Sequence, residues 1–251
     1  VKKLITDAAE NGFKGFYYLY QPVLEMKTGR LHCCEATLFW GNEDMTVPRS
    51  RFLPIIDQLG YSRQLYRFAC DKICSFCASV REQGYPEFRV SFKMPENILN
   101  SEISVDVLQS TLLEYSLPPS AISISVTEAE GTLTSGGIYL QALSRMGMNI
   151  IADDTGAGYF TDAPLSNASV KTIKIRADRF SGDSVSSGFV RSLIKKAHSK
   201  GIAVCAKDVD SPSDLTAIGG SEIDLIEGIF NGRPLRDHEF IERMSEGLGA
   251  G

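Results

Sequence analysis

The sequence predicts one α/β barrel, and three observations carry that prediction. Short β-branched or aromatic runs alternate with longer amphipathic runs from one end to the other. Roughly eight of the short runs fit into 251 residues, which favours a closed (β/α)8 barrel over an open sheet. Acidic and basic residues then gather where the short runs end, the place where barrels of this type keep their sites. The alternation implies mostly parallel strands with helical crossovers. The length fits one large domain, taken as 1–245, with a small-residue flexible tail at 246–251.

Element by element, residues 15–23 are aromatic and β-branched and read as the first strand. Lys27-Thr28-Gly29-Arg30 is a turn, and 31–40 is the second strand. Residues 41–48 read as a polar loop. Helical spacing returns at 51–59, closed by Gly60, and more strongly at 65–80, closed by Gly84 and Pro86. A strand at 88–94 ends at Pro95. A helix at 103–115 is stopped by Pro118-Pro119. The same rhythm gives a strand at 121–126, a helix at 137–146 and a strand at 148–152. It continues with a strand at 170–175, a helix at 189–199, a strand at 202–206, a helix at 214–218, a strand at 223–226 and a helix at 239–244. The Ser- and Gly-rich stretch 178–187 reads as a mobile surface loop.

Composition narrows the function classes. Hydrophobic residues make up 43% and charged residues 23%, an ordinary soluble balance. The net charge of −5 argues against wholesale phosphate-backbone binding, so DNA is not an expected partner. No run of 18 apolar residues appears, and Val1-Lys2-Lys3-Leu4 lacks a secretory core. A cytoplasmic location is expected, and a membrane-anchored parent protein stays open. Cys70, Cys74 and Cys77 fall on one helix face as small buried hydrophobes, Cys33 and Cys34 point to opposite faces of a strand, and Cys205 sits in an apolar strand. All six suit a reducing compartment.

The most unusual segment is Asp153-Asp154-Thr155-Gly156-Ala157-Gly158-Tyr159, two carboxylates after a buried strand and then two glycines. By itself it is equally an acidic turn capping the next helix or part of a site. In order along the chain stand YQPVLEMKTGR (20–30), EATLFW (35–40), FLPIIDQLG (52–60), VSFKM (90–94) and SVTE (125–128). They are followed by MGMNIIADDTGAGYF (146–160), IKIR (173–176), AVCAKDVDS (203–211) and EGIFNGRP (227–234). Through these segments the chain resembles the EAL domain family of bacterial cyclic-di-GMP phosphodiesterases. The resemblance implies a modified (β/α)8 barrel of the TIM type whose first strand runs antiparallel to the rest. It also implies, for active members, two Mg²⁺ or Mn²⁺ ions that activate a water to open cyclic-di-GMP to pGpG.

Carried over residue by residue, the resemblance keeps Glu35 of the naming signature, Asp153 and Asp154 of the metal pair, Lys174 beside the attacking water, and Glu128 of a strand-end pair. It loses more. Lys93 stands for the metal-binding Asn, Ser125 for the first strand-end Glu, and Arg176 for an Asp. Lys207 stands for a metal-site Glu, Asp208 for the neighbouring Gly, and Asp210 for a loop-supporting Glu. Glu227 stands for a Gln, Phe39 for a phosphate-contacting Arg, and Thr37, Thr155 and Ala157 for Leu, Phe and Thr. Two divalent ions need several anionic oxygens to offset their mutual repulsion, and here three ligand positions have become cations. The expectation is a degenerate, catalytically inactive domain with no cofactor, in which Glu35, Asp153, Asp154 and Lys174 are vestigial. Lys93, Arg176 and Lys207 are expected to neutralise Glu35, Asp153 and Asp154 in place of the metals.

Three functions follow from this pattern. One is a signalling role through a protein partner or the other domains of a parent chain. A second is a cyclic-di-GMP receptor without hydrolysis. The third is residual Mg- or Mn-dependent phosphodiesterase activity. A homodimer is left open by the sequence.

Overall fold

The computed structural model describes residues 2–41, 46–94, 96–127, 137–155, 165, 167, 169–181 and 184–247. The chain starts with helix α1 (Lys2–Glu10), then strands β1 (Phe16–Glu25) and β2 (Leu31–Gly41). These two are joined by a tight turn at Thr28-Gly29, where the Gly29 amide donates to the Glu25 carbonyl at 2.9 Å and φ is 69°. So short a connection forces an antiparallel pair. Its register sets Gln21 opposite Glu35 and Tyr17 opposite Phe39.

The later strands are β3 (Thr46–Pro48), β4 (Val90–Lys93), β5 (Ile122–Thr127), β6 (Asn149–Asp153), β7 (Val170–Arg176), β8 (Ala203–Lys207) and β9 (Leu225–Glu227). Neighbours from β4 to β9 are parallel, as crossover connections require, and β4 is parallel to β2. Strand β1 pairs antiparallel with both β2 and β9 and so closes the ring. Among the described residues eight strands form the barrel, while β3 hangs on the outer edge of β2. This is the TIM-type barrel with an antiparallel first strand that the sequence predicted.

Helices α2 (Arg49–Gln58), α3 (Ser62–Glu82), α4 (Glu96–Leu99), α5 (Ile103–Glu114), α6 (Ile138–Arg145), α7 (Ser184–Ser199), α8 (Pro212–Ile218) and α9 (Asp237–Ser245) cover the outside. Helix α3 buries Leu65, Tyr66, Ala69, Cys70, Ile73, Cys74, Cys77 and Val80, the three-and-four spacing of one apolar stripe. Its cysteines are buried and free, as expected. Cys34 joins the core between barrel and helices, whereas Cys33 faces the barrel interior with Val23, Cys205 and Leu225.

Several expectations need correction. Helix α1 carries only Ile5 and Ala8 as buried residues, too thin a stripe to read from sequence. The expected polar loop at 41–48 contains β3, because Thr46–Pro48 pairs with the end of β2. The expected mobile loop at 178–187 is mostly ordered backbone: a 3-10 turn at Ala177–Arg179, then α7 from Ser184. Ser and Gly there hide the start of the helix, since they add no apolar period. Of the expected tail, 248–251 lies outside the described residues.

Candidate functional site

The C-terminal ends of the parallel strands bring six of the expected site residues into two ion-paired groups. In the first, Lys174 on β7 is buried across the barrel from Glu35 on β2 and Glu227 on β9. Its ammonium donates to Glu35 Oε2, and to Glu227 Oε2 at 2.5 Å. Burial alone would lower the lysine's pKa, but the charges of Glu227 and Glu35 override it and hold the ammonium well above its usual range. Glu227 is also pushed up, to about 7, by burial first and by the charge of Glu35 second, with Lys174 opposing.

In the second group, Lys207 at the end of β8 reaches both aspartates at the end of β6. Its Nζ lies 2.7 Å from Asp153 Oδ1 and 2.8 Å from Asp154 Oδ1. Asp153 Oδ1 also accepts the Asp154 amide at 2.9 Å. Burial would raise the Asp153 carboxyl, yet Lys174 and Lys207 hold it below the ordinary value. Burial likewise works against the Lys207 ammonium, and Asp153 and Asp154 raise it above its normal range. Asp154 sits at φ 53°, in the left-handed region that an aspartate tolerates better than most residues.

The other expected residues are placed less uniformly. Arg176, the last residue of β7, turns outward to Asp178 at 3.1 Å and to Asp208 at 3.6 Å, both pairs well exposed. Asp208 has φ 57° at a position where the family pattern has glycine. Lys93 is half-buried at the end of β4, and its carbonyl accepts from Arg49 at 3.3 Å. The Ser125 hydroxyl is buried with no hydrogen-bond partner among the described residues. Phe39 is half-buried and stacks on Tyr17, with ring centres 6.0 Å apart. The Arg236 guanidinium lies 3.3 Å from the centre of the Tyr17 ring. Thr155 is buried, its amide donating to the Lys174 carbonyl at 3.0 Å and its hydroxyl to the Ala152 carbonyl at 3.1 Å. Glu128 and Gly156-Ala157-Gly158 lie outside the described residues.

The expected neutralisation scheme is therefore corrected. Lys207 does neutralise Asp153 and Asp154, but Glu35 is held by Lys174, and Arg176 pairs with Asp178 and Asp208 instead. Arg176 misses the aspartates because the chain bends directly after it into the Ala177–Arg179 turn, which brings Asp178 alongside.

Sequence reasoning named Asp210 for the scaffold of the Glu227 loop but missed Gln21 and Gly228. Gln21 Nε2 donates to the carbonyls of Gly228 and Gly232 at 3.1 and 2.6 Å. Asp210 Oδ1 accepts the Ile229 amide at 2.9 Å. A side chain on Gly228 would meet the Val209 backbone at 2.2 Å, so only glycine fits there. The hairpin turn was the available signal for Gln21, since its short loop fixes Gln21 opposite Glu35.

Among the described residues, no three His, Cys, Asp or Glu side chains are grouped so as to hold a metal ion. Nor is any helix long and apolar enough to cross a membrane.

A barrel closed by an antiparallel first strand, with Glu35, Asp153, Lys174 and Glu227 converging at its C-terminal mouth, defines a class, and comparison with known families agrees: the model of the EAL domain matches residues 5–234, so the chain belongs to the EAL domain family. Among curated relatives, the biofilm architecture maintenance protein MbaA of Vibrio cholerae is 25% identical over 225 residues, covering 88% of this chain and 28% of that protein. The cyclic di-GMP phosphodiesterase RocR of Pseudomonas aeruginosa is 23% identical over 237 residues, covering 92% of this chain and 60% of RocR. The first curated relatives are much longer than the match, which spans 28–31% of their length. Among solved structures, the MucR phosphodiesterase in complex with c-di-GMP superposes with a TM-score of 0.84 at 21% identity, covering 95% of this chain and 99% of that one. The FimX EAL domain of Pseudomonas aeruginosa bound to c-di-GMP gives 0.77 at 21% identity, covering 93% and 95%.

Proposed function

We propose that this EAL domain is a catalytically inactive signalling module that works by binding. In this reading Lys207 and Lys174 do the electrostatic work that divalent cations do in active relatives. The observation that carries it is the Lys207 ammonium seated between Asp153 and Asp154 at 2.7 and 2.8 Å. A metal bridging those carboxylates would meet a positive charge within a few ångströms, at roughly 4 kcal/mol per pair of unit charges at 4 Å. The second carboxylate group is likewise engaged, by Lys174. Ser125, Arg176 and Lys207 offer no replacement carboxylate, so the residues present do not fit a pair of divalent ions.

The partner in this reading is a protein, or the other domains of a longer signalling chain. The length of the relatives supports it, since the match covers only 28% of MbaA and 60% of RocR and leaves further chain in each. The test is incubation with cyclic-di-GMP and Mg²⁺ or Mn²⁺, followed by chromatography for pGpG. No product is expected, and metal-dependent turnover overturns the proposal.

A second reading, a cyclic-di-GMP receptor, is supported by similar EAL domains with c-di-GMP bound. Against it, Phe39 stands where the family pattern has a phosphate-contacting arginine, and Glu227 adds an anion. Calorimetry in metal-free buffer separates the two. Heat saturating with cyclic-di-GMP selects the receptor, and flat heats from folded protein select the protein-binding module.

A further inference from the structure

We infer that the opposite, N-terminal end of the barrel is a binding site for a small oxyanion. Barrels of this type usually fill their interior with layers of branched side chains. Here small residues, among them Cys33, Ser91 and Ser123, share the layer with Val23, Ile151 and Leu225. They leave a cavity of about 180 Å³, room for a few waters or one small anion. The cavity wall includes Lys174, whose ammonium is turned away to Glu35 and Glu227.

The polar groups around this cavity suit an anion. Arg89, Lys171, His32 and Asn149 also line it. Among the described residues neither Arg89 nor Lys171 has a carboxylate partner, whereas Lys174 and Lys207 at the other end each have two. Arg89 Nη2 lies 3.1 Å from His32 Nε2. Burial, and then Arg89, pull the imidazole down to about 4, so the ring is neutral and leaves the guanidinium charge uncompensated. Ser123 as a residue is more than nine-tenths buried and lines the cavity, and its hydroxyl makes no hydrogen bond among the described residues. Thr172 likewise has a free hydroxyl. An oxyanion accepts from hydroxyls and guanidinium alike, so these donors converge on one kind of ligand. An outer cleft of about 910 Å³ shares His32 and Arg89 with the cavity and gives a route from solvent. The acids on its rim are Glu25 and Glu87.

The experiment is a thermal-unfolding titration of the whole chain with sodium phosphate and, separately, sodium acetate, each against sodium chloride at matched ionic strength. A saturating rise in Tm is expected with one or both oxyanions, and the arm that responds tells phosphate from carboxylate. Arg89→Gln and Ser123→Leu should each abolish it, the first by removing the charge and the second by filling the cavity. If Ser123→Leu does not unfold cooperatively, Thr172→Val replaces it. No saturating rise with either anion, or a rise undiminished in the variants, overturns the inference.

Discussion

The two ends of this barrel treat their cationic side chains in opposite ways. At the C-terminal end Lys174 and Lys207 each bridge two carboxylates, so every carboxylate of the two groups has a cation beside it without any ligand. At the N-terminal end the half-buried Arg89 and the exposed Lys171 line a cavity and have no carboxylate partner among the described residues. The contrast teaches that inherited position does not decide where a ligand belongs. In the proposed reading the end whose charges are paired internally serves as structure, and the inferred anion site lies at the end that reads as scaffold.

The comparison breaks most readily at Lys174. Lys174→Met leaves Glu35 and Glu227 facing each other without a cation, and should cost about 3–5 kcal/mol in urea unfolding at pH 7.5. A loss under about 1 kcal/mol would show that the C-terminal mouth is not held by its ion pairs. Next in size is Glu227→Gln. The native state holds the Glu227 proton up to about 7, against an ordinary value of 4.5. Stabilisation from that proton is full below about pH 4.5 and is lost as pH rises through about 7. The variant should therefore flatten the stability profile across this window. At pH 8 it should be more stable than the parent by up to about 3 kcal/mol, read from urea midpoints at pH 5 and pH 8. Asp153 carries the reverse sign: its lowered carboxyl stabilises above its ordinary 3.8 and ceases to do so on acidification.

Lys207→Ala should cost about 2 kcal/mol at pH 7, less than Lys174→Met because Asp154 is partly solvated. The same variant sharpens the functional proposal. With the ammonium gone, Mn²⁺ should raise its Tm where it leaves the parent unchanged. The smallest effect is expected at Asp208→Gly, which relieves a left-handed aspartate at φ 57°. A gain of about 0.5–1 kcal/mol, or a few degrees in Tm, would fit the glycine of the family pattern.

Much of this architecture was legible in the sequence, because alternating periods and Gly or Pro stops report the strands and helices of a barrel directly. The boundaries of α5 and β6 follow from that logic within a residue or so. Helix α1 was not legible, since two buried residues make no period. The site residues were legible as positions, but their partners were not. Lys207 and Arg176 both end neighbouring strands and both replace acids, yet one is followed by a left-handed Asp208 and the other by a 3-10 turn that brings Asp178 alongside. Only the backbone after the strand decides which lysine or arginine meets Asp153. The lower cavity was invisible for a related reason. Ser91, Ser123, Thr172 and Cys205 are far apart in sequence, and their small size matters only once they face one space.

The six free thiols are buried, four of them against α3 or on it, at Cys34, Cys70, Cys74 and Cys77, and two inside the barrel, at Cys33 and Cys205. Burial pushes Cys33, Cys70 and Cys77 up to about 12, far from the reactive thiolate form at neutral pH. The molecule thus contains two sets of silent reporters. Under pulse alkylation with a reagent too bulky for the cavity, mass increments counted in fours register the lifting of one helix, and increments in twos register the parting of the strands themselves.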